Sequence, residues 1–307
     1  MPPKLRCFST RRHPACAATA CVLLLLAPGI SAAAEAWRSS VSVTPVWQGN
    51  ANIDDGGDFE TTGIAFRAGT TFGFGEGHRA GLALQYDQLD YDFSERTAFG
   101  NAPWGDVERF GFSVPLLFSG AGGWSYSVTP SVETSREKGA DSSESMVYGG
   151  IVGATRAFAP DQRLGFGVGV FDQFDETRVI PILIVNWRLN ERWSLVNPLP
   201  AGPVGPAGLE LDYRFDNGWR LGLGAAYRSL KFRLSETGPV PNGVGEQRGV
   251  PVFLRWTADL SRRASVVLYA GAIVGGELRV EDSDGNRVGR ESFDPAPLLG
   301  ATFRMRF

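Results

Sequence analysis

The last nine residues read Leu299-Gly300-Ala301-Thr302-Phe303-Arg304-Met305-Arg306-Phe307. Apolar side chains stand at 299, 301, 303, 305 and 307, with Gly, Thr and two Arg between them. A β-strand turns its side chain over at each residue, so this stretch has one apolar face and one small or basic face. It closes on an aromatic with no polar tail behind it. Facing water, such a strand end is exposed apolar surface. At the rim of a lipid-facing sheet, an aromatic belongs at the interface.

The other end has a different logic. Lys4, Arg6, Arg11 and Arg12 precede an apolar run from Ala15 to Ala27, followed by Pro28, Gly29 and the small residues Ser31 to Ala34. Basic, apolar and small in that order is the pattern of a secretory leader, with cleavage expected after Ala34. The run is short of the ~20 apolar residues that a spanning helix needs. Cys7, Cys16 and Cys21 all lie in this segment, so a mature chain over 35–307 has no disulfide and no thiolate metal site. The leader holds four of the 30 Lys and Arg and none of the 33 Asp and Glu, which leaves 26 basic against 33 acidic residues and a net charge of −7. That balance gives no basic footprint for nucleic acid.

Between the two ends, strand-like alternation recurs. Trp37 to Trp47 is followed by a connection of about a dozen residues rich in Asp and Glu. Ile64, Phe66, Ala68, Thr70, Phe72 and Phe74 share one face and turn through Gly75–His78 into Ala80, Leu82, Leu84 and Tyr86. The phase then moves to Leu89, Tyr91 and Phe93, which predicts a bulge. Similar pairs follow, joined by short turns at Ser119–Gly123, Ala159–Gln162, Asn190–Arg192, Asp216–Gly218 and Asp259–Arg263. The count is about fourteen strands, with short and longer connections alternating. It falls to twelve if Val179–Leu189, apolar on both faces, and the short Trp193–Val196 are not separate strands. An even number of strands with short turns on one side and longer loops on the other predicts an all-β, up-and-down antiparallel transmembrane barrel in a single domain over 35–307, with both termini on the periplasmic side.

Alternation alone also suits a soluble sandwich. Two features favour lipid. Phe72, Phe74, Phe118, Trp124, Phe158, Trp187, Trp193, Phe215, Trp219 and Phe307 all sit near a short turn or the C-terminus, which sets a ring of aromatics at one level. The less apolar face is mostly Gly, Ala, Ser and Thr with scattered Arg, which suits a crowded interior. In hydrocarbon every backbone polar group must be paired, and a closed sheet achieves that with strands.

The C-terminal strand Leu299, Ala301, Phe303, Met305, Phe307 resembles the closing strand of bacterial outer-membrane barrels. The segments NPLPAGPVGPAGLELDY (Asn197 to Tyr213) and GWRLGLGAAYRSLKFRL (Gly218 to Leu234) resemble a family of uncharacterised Gram-negative outer-membrane barrel proteins grouped as a domain of unknown function. The resemblance implies the cell outer membrane as location, lipid and lipopolysaccharide as surroundings, and the barrel-assembly machinery as a partner of the C-terminal strand. It transfers no substrate and no catalytic residue. The Pro-rich run after Asn197 cannot pair as strand and is expected as an ordered surface loop or, alternatively, a constriction folding into the mouth.

The interior face carries the candidate chemistry. By alternation, Arg67, Arg109, Glu133, Glu210, Asp212, Arg214, Arg220, Arg228, Arg255, Arg304 and Arg306 point inward. Two arrangements fit: a water-filled pore with mild anion preference, or arginines paired with the carboxylates in a closed lumen. The first predicts a passive, porin-like channel or small-solute transporter. The second predicts a closed barrel whose outer loops bind a partner. His78, the one histidine outside the leader, lies in a short turn with no evident Ser partner, so an enzyme is not expected. No cofactor is expected. Asp54, Asp55, Asp58, Asp172, Asp175, Glu176, Glu281, Asp282 and Asp284 make the outer loops acidic, and Glu281–Asn286 reads as a hairpin tip rather than a calcium loop.

Overall fold

The computed structural model describes residues 37–94, 97, 99, 102–174, 176–198 and 207–307. The expected leader with Ala34, Asp175, and residues 199–206 of the Pro-rich run lie outside these residues. Sixteen strands follow in order: β1 (Arg38–Asn52), β2 (Asp58–Phe74), β3 (His78–Phe93), β4 (Val107–Ser113), β5 (Leu116–Ser119), β6 (Trp124–Glu137), β7 (Met146–Ala159) and β8 (Gln162–Gln173). Then come β9 (Glu176–Arg188), β10 (Trp193–Val196), β11 (Ala207–Arg214), β12 (Arg220–Arg233), β13 (Val244–Asp259), β14 (Ala264–Glu281), β15 (Arg287–Phe293) and β16 (Ala296–Arg306).

Neighbours around the ring pair antiparallel, and β1 pairs with β16 in the register Ser40–Arg306 to Gln48–Leu298, which closes the sheet. β4 and β5 occupy one position, since both pair with β3 and β6. They part at Pro115, which has no N–H to give a ladder. β15 and β16 likewise share one position along β14. The barrel therefore has fourteen strand positions. β9 and β10 are separate members, each paired on both sides, which rules out twelve.

Six connections and both described chain ends lie at one end of the barrel, the turn end; the other seven connections lie at the loop end. The turns use the expected residues. Gly75, Gly77 and Gly218 have positive φ, and Asn217 Oδ1 accepts the Trp219 N–H. The contrast in length is smaller than the sequence suggests. β1 continues to Asn52, so the connection expected after Trp47 is mostly strand. A register shift lies in that extension, between Gln48 and Ala51, while β2 and β3 pair without one from Phe59–Phe93 to Phe74–His78.

The outward face is apolar across the middle of nearly every strand. Leu82 is 48% exposed, Phe166 56% and Leu223 56%, and Ile64, Phe110, Val152, Leu183, Leu254, Leu268 and Leu299 are exposed with them. A band of this extent far exceeds the apolar patches that monomers keep in water. At the turn end the aromatics touch in sequence: Phe74 with Phe118, Phe158 with Trp187, Trp193 with Tyr213, Tyr213 with Phe215, and Trp219 with Trp256.

The main core lies inside the barrel at the loop end. Ala51, Ile53, Phe59, Leu89, Tyr91, Trp104, Val107, Phe232, Leu278, Val280, Phe293 and Leu298 form one buried cluster, an internal plug contributed by β1–β4, β12, β14–β16 and the connections after β1 and β3. Trp104 comes from the β3–β4 connection and packs edge-on to Tyr91, Phe93 and Phe232, with ring centroids 5.8, 5.7 and 5.2 Å away. This cluster explains the phase change read as a bulge. Leu89, Tyr91 and Phe93 continue the inward phase of Ala83, Gln85 and Asp87 without interruption, and the interior itself becomes apolar at their level.

β12 also departs from a plain barrel at the loop end. Arg233 pairs in parallel with Arg136 of β6, Ser135 Oγ donates to the Lys231 carbonyl (2.7 Å), and the Ser235 N–H donates to Glu137 (2.8 Å). β6 and β12 are not neighbours on the ring, so the loop-end half of β12 crosses the mouth to reach β6. Strands β7 to β11 stand outside that crossing.

Candidate functional site

Below the apolar cluster is a chamber of about 720 Å³. It runs from Ser40 and Arg306, at the turn end, to Leu89, Val107 and Leu230, which belong to the cluster above. The cluster therefore covers the chamber on the β1–β4 and β12 side, while Val147, Phe171 and Gln173 carry the lining toward the loop end on β7 and β8.

One wall is charged. Arg67 on β2 forms a bidentate pair with Asp87 on β3 (2.5 and 2.9 Å), and Arg109 on β4 forms another with Glu133 on β6 (3.0 and 2.9 Å). Gln85 Nε2 donates to Glu133 (2.6 Å). Two-pronged guanidinium–carboxylate pairs of this kind fix both side chains. Arg228 on β12 lines the roof, and Arg304 and Arg306 on β16 line the turn end. None of these three has an ion-pair partner among the described residues.

The wall on β7–β9 is mostly apolar. Its inner face presents Val147, Ile151, Phe171, Ile180 and Ile182 to the chamber, with Gln173 and Arg178 at its loop end. Between them lie Gly149, Gly153, Gly165, Gly167 and Gly169, paired across the three strands. A Cβ on Gly169 would meet the Phe171 ring at 2.8 Å, so the missing side chain is what lets that ring lie flat along the wall.

Arg67, Arg109, Glu133, Arg228, Arg304 and Arg306 line this one cavity. Glu210, Asp212 and Arg255 are buried between β11 and β13, Arg220 is half-buried beside them, and Arg214 is exposed at the turn end. Arg255 and Glu210 pair at 2.6 Å with almost no exposure, across the intervening β12. A Cβ on Gly222 of β12 would collide with the Glu210 carboxylate, so only glycine admits this bridge. Asp87, Gln85 and Arg178 complete the site, and alternation read from the sequence did not select them. The signal for Asp87 was present in the unbroken phase from Ala83. On the C-terminal strand, Leu299, Phe303, Met305 and Phe307 are exposed on the outer face and Ala301 is half-buried among them.

The wall has a seam. β10 pairs with β9 only at Asn186–Arg188, and β11 pairs with β12 only as far as Tyr227. Beyond those points, among the described residues, β9 and β12 are joined by side chains. Arg178 donates to Ser229 Oγ (2.7 Å) and lies 3.7 Å from Glu246, and Lys231 lies 2.8 Å from Glu176. Asn197 caps the lower end by bonding both backbone groups of Val185 and the carbonyls of Leu183 and Gly208.

His78 is held at the turn end between Phe74 and Phe118. Its Nδ1 accepts the Ser119 backbone N–H (3.1 Å), while Ser119 Oγ donates to the Gly77 carbonyl. The serine hydroxyl is thus directed away from the imidazole, and the two do not form a nucleophile–base pair.

At the loop end, Asp282–Asn286 form a hairpin tip between β14 and β15. Asp282 accepts the Asn286 N–H and side-chain amide and the Asp284 N–H. Hydrogen bonds from Asn286, then Asp284, hold the Asp282 carboxyl below its ordinary pKa. A depressed carboxyl stabilises the tip above the unfolded value of about 3.9 and stops doing so as pH falls through the folded value. Protection of the Asn286 amide from hydrogen exchange is expected to persist as pH drops past the usual Asp range and to disappear below it. In Asp282→Ala it is expected to be absent throughout.

No curated protein matches the chain. Among solved structures, an outer membrane channel from Pseudomonas putida F1 is similar at 8% identity, with 92% of this chain and 100% of that chain covered and a TM-score of 0.48. The toluene transporter TodX of the same species is similar at 9% identity, with 89% and 90% covered and a TM-score of 0.41. The translocator domain of the autotransporter NalP from Neisseria meningitidis follows at 11% identity, with 88% of each chain covered and a TM-score of 0.37. Residues 124–305, more than half of the sequence and including both segments that suggested a family, match the Domain of unknown function (DUF6268), and the chain belongs to that family.

Proposed function

We propose that this protein is an outer-membrane channel that passes small solutes through its internal chamber, with a preference for anions. One observation carries the reading: a closed sheet whose outer face is apolar encloses a chamber lined by six arginines, of which Arg228, Arg304 and Arg306 have no ion-pair partner among the described residues. Hydrocarbon is the solvent that suits the outer face, and fixed guanidinium groups in a confined space attract anions. The leader over 1–34 is removed after Ala34, the barrel spans 35–307, and both termini face the periplasm. The aromatic ring marks the periplasmic interface. The acidic loop end meets lipopolysaccharide, and the barrel-assembly machinery takes the C-terminal strand as its partner. No catalytic role is assigned.

The test is swelling of proteoliposomes in small solutes of matched size. Organic acids such as gluconate are expected to enter faster than neutral sugars, and entry is expected to slow as salt screens the arginines. Swelling no faster than in empty liposomes, for both the wild type and a variant with the plug removed, would overturn the channel reading.

The packed loop end supports a second reading, a closed barrel whose outer loops bind a partner. Permeation by a plug-deficient variant but never by the wild type, under any solute gradient, favours that reading.

A further inference from the structure

We infer that the chamber is a binding site for an organic anion with an apolar body, an alkyl or aryl carboxylate rather than an inorganic ion or a sugar. The inference deepens the transport reading and rests on it for why a solute reaches the chamber. Three features carry it.

The first is the separation of the two walls. Ile151, Phe171, Ile180 and Ile182 form an apolar surface on β7–β9, bounded at the loop end by Gln173 and Arg178, while the two ion pairs and Arg228 stand on β2–β6 and β12. An inorganic anion makes no use of such a wall, and a sugar leaves its hydroxyls unpaired against it. A hydrocarbon chain or ring gains from it in proportion to the area it covers.

The second is which charges remain available. The carboxylates that line the chamber, Asp87 and Glu133, are both engaged by Arg67 and Arg109. Arg228 has no such partner among the described residues. It lines the chamber two residues before Leu230, which with Leu89 belongs to the apolar cluster. A guanidinium in that position offers a two-pronged donor to a carboxylate in a confined, weakly screened space. Arg304 and Arg306, at the turn end, supply a positive approach, so an anion is drawn inward along the chamber.

The third is size. About 720 Å³ is within the range of small-molecule sites and is larger than a hydrated inorganic anion requires.

The carboxylate would meet Arg228 beneath the apolar cluster, and the body would lie back along Ile180 and Ile182 toward the turn end. The apolar segment thus enters behind its charge and leaves ahead of it.

The test uses the full mature barrel in nanodiscs of neutral lipid, with empty nanodiscs subtracting partition into the bilayer. Radiolabelled decanoate is compared by equilibrium dialysis with decanol, which keeps the body and lacks the charge, and with propionate, which keeps the charge and lacks the body. Decanoate is expected to bind saturably at one site per barrel, with decanol and propionate each weaker by about tenfold or more. Arg228→Gln is expected to weaken decanoate about tenfold while leaving decanol unchanged. Ile182→Ser, on a different strand, is expected to weaken decanoate and leave propionate unchanged. Heat-dependent gel mobility checks that each variant is a closed barrel. Decanol binding as tightly as decanoate, or Arg228→Gln and Ile182→Ser both binding like the wild type, would overturn the inference. Failure of the channel reading is separable: proteoliposomes that never swell remove transport but leave saturable decanoate binding in place. Swelling without decanoate binding removes this inference alone.

Discussion

Replacing Trp104 with alanine is expected to open the loop end. In planar bilayers the variant should show steady conductance where the wild type is closed or flickers, and proteoliposomes carrying it should swell at least about tenfold faster in a disaccharide. The physical reason is its position. Trp104 is 2% exposed and makes edge contacts with Tyr91, Phe93 and Phe232, which come from opposite sides of the ring. Truncating a buried Trp costs about 3–5 kcal/mol and leaves a cavity, here in the centre of the plug. Trp104→Phe separates loss of packing from loss of chemistry. The indole N–H has no hydrogen-bond partner among the described residues, so phenylalanine gives up area only and should remain closed. A Trp104→Ala barrel that is folded and still closed would show that other side chains block the mouth unaided.

The second large effect concerns stability. Glu210→Leu is expected to cost about 3–5 kcal/mol in urea unfolding from lipid vesicles, because it leaves Arg255 buried with its charge uncompensated. The double variant Glu210→Leu, Arg255→Leu should recover most of that loss, since a buried pair replaced by apolar groups of similar volume is often neutral or better. Gly222→Ala tests the same bridge without touching either charge. Its methyl group would occupy the path of the Glu210 side chain. It should be destabilised like the single variant, and combining it with Glu210→Leu should add little, because both remove one interaction.

The barrel was legible because the outer face had to be uniform. Residues such as Leu82, Leu84, Phe110, Phe112, Leu221 and Leu223 all meet one environment, and a uniform solvent imprints a clean period of two. The interior has no such uniformity. Inward residues near the turn end are Ser, Thr and Gly with Arg304 and Arg306 among them, those at mid-height include the ion pairs, and the loop-end cluster is largely Phe, Tyr and Leu. An alternation rule that equates apolar with outward therefore inverts at Leu89, Tyr91 and Phe93, where it suggested a bulge. Arg67, Arg109, Arg228, Arg304 and Arg306 line the chamber, but the partners of the first two were not legible. Arg67 with Asp87 and Arg109 with Glu133 depend on strand register. Arg255 with Glu210 crosses an entire strand, a contact that no local pattern encodes. The seam was hidden for a related reason. The shortness of β10 is visible in Trp193–Val196, but the crossing of β12 to β6 arises from tertiary packing at residues 135 and 231.

The joint between β1 and β16 has a consequence for how the chain is made. It ties Ser40 to Arg306, so the contact that completes the ring spans nearly the whole sequence between its partners. Contacts of such separation form late and slowly. Until the last residues are synthesised, both terminal edges carry unpaired amides, which aggregate readily in water and are costly in hydrocarbon. No amino-terminal portion of this polypeptide can therefore complete the ring ahead of the remainder, because the final strand supplies the partner of the first.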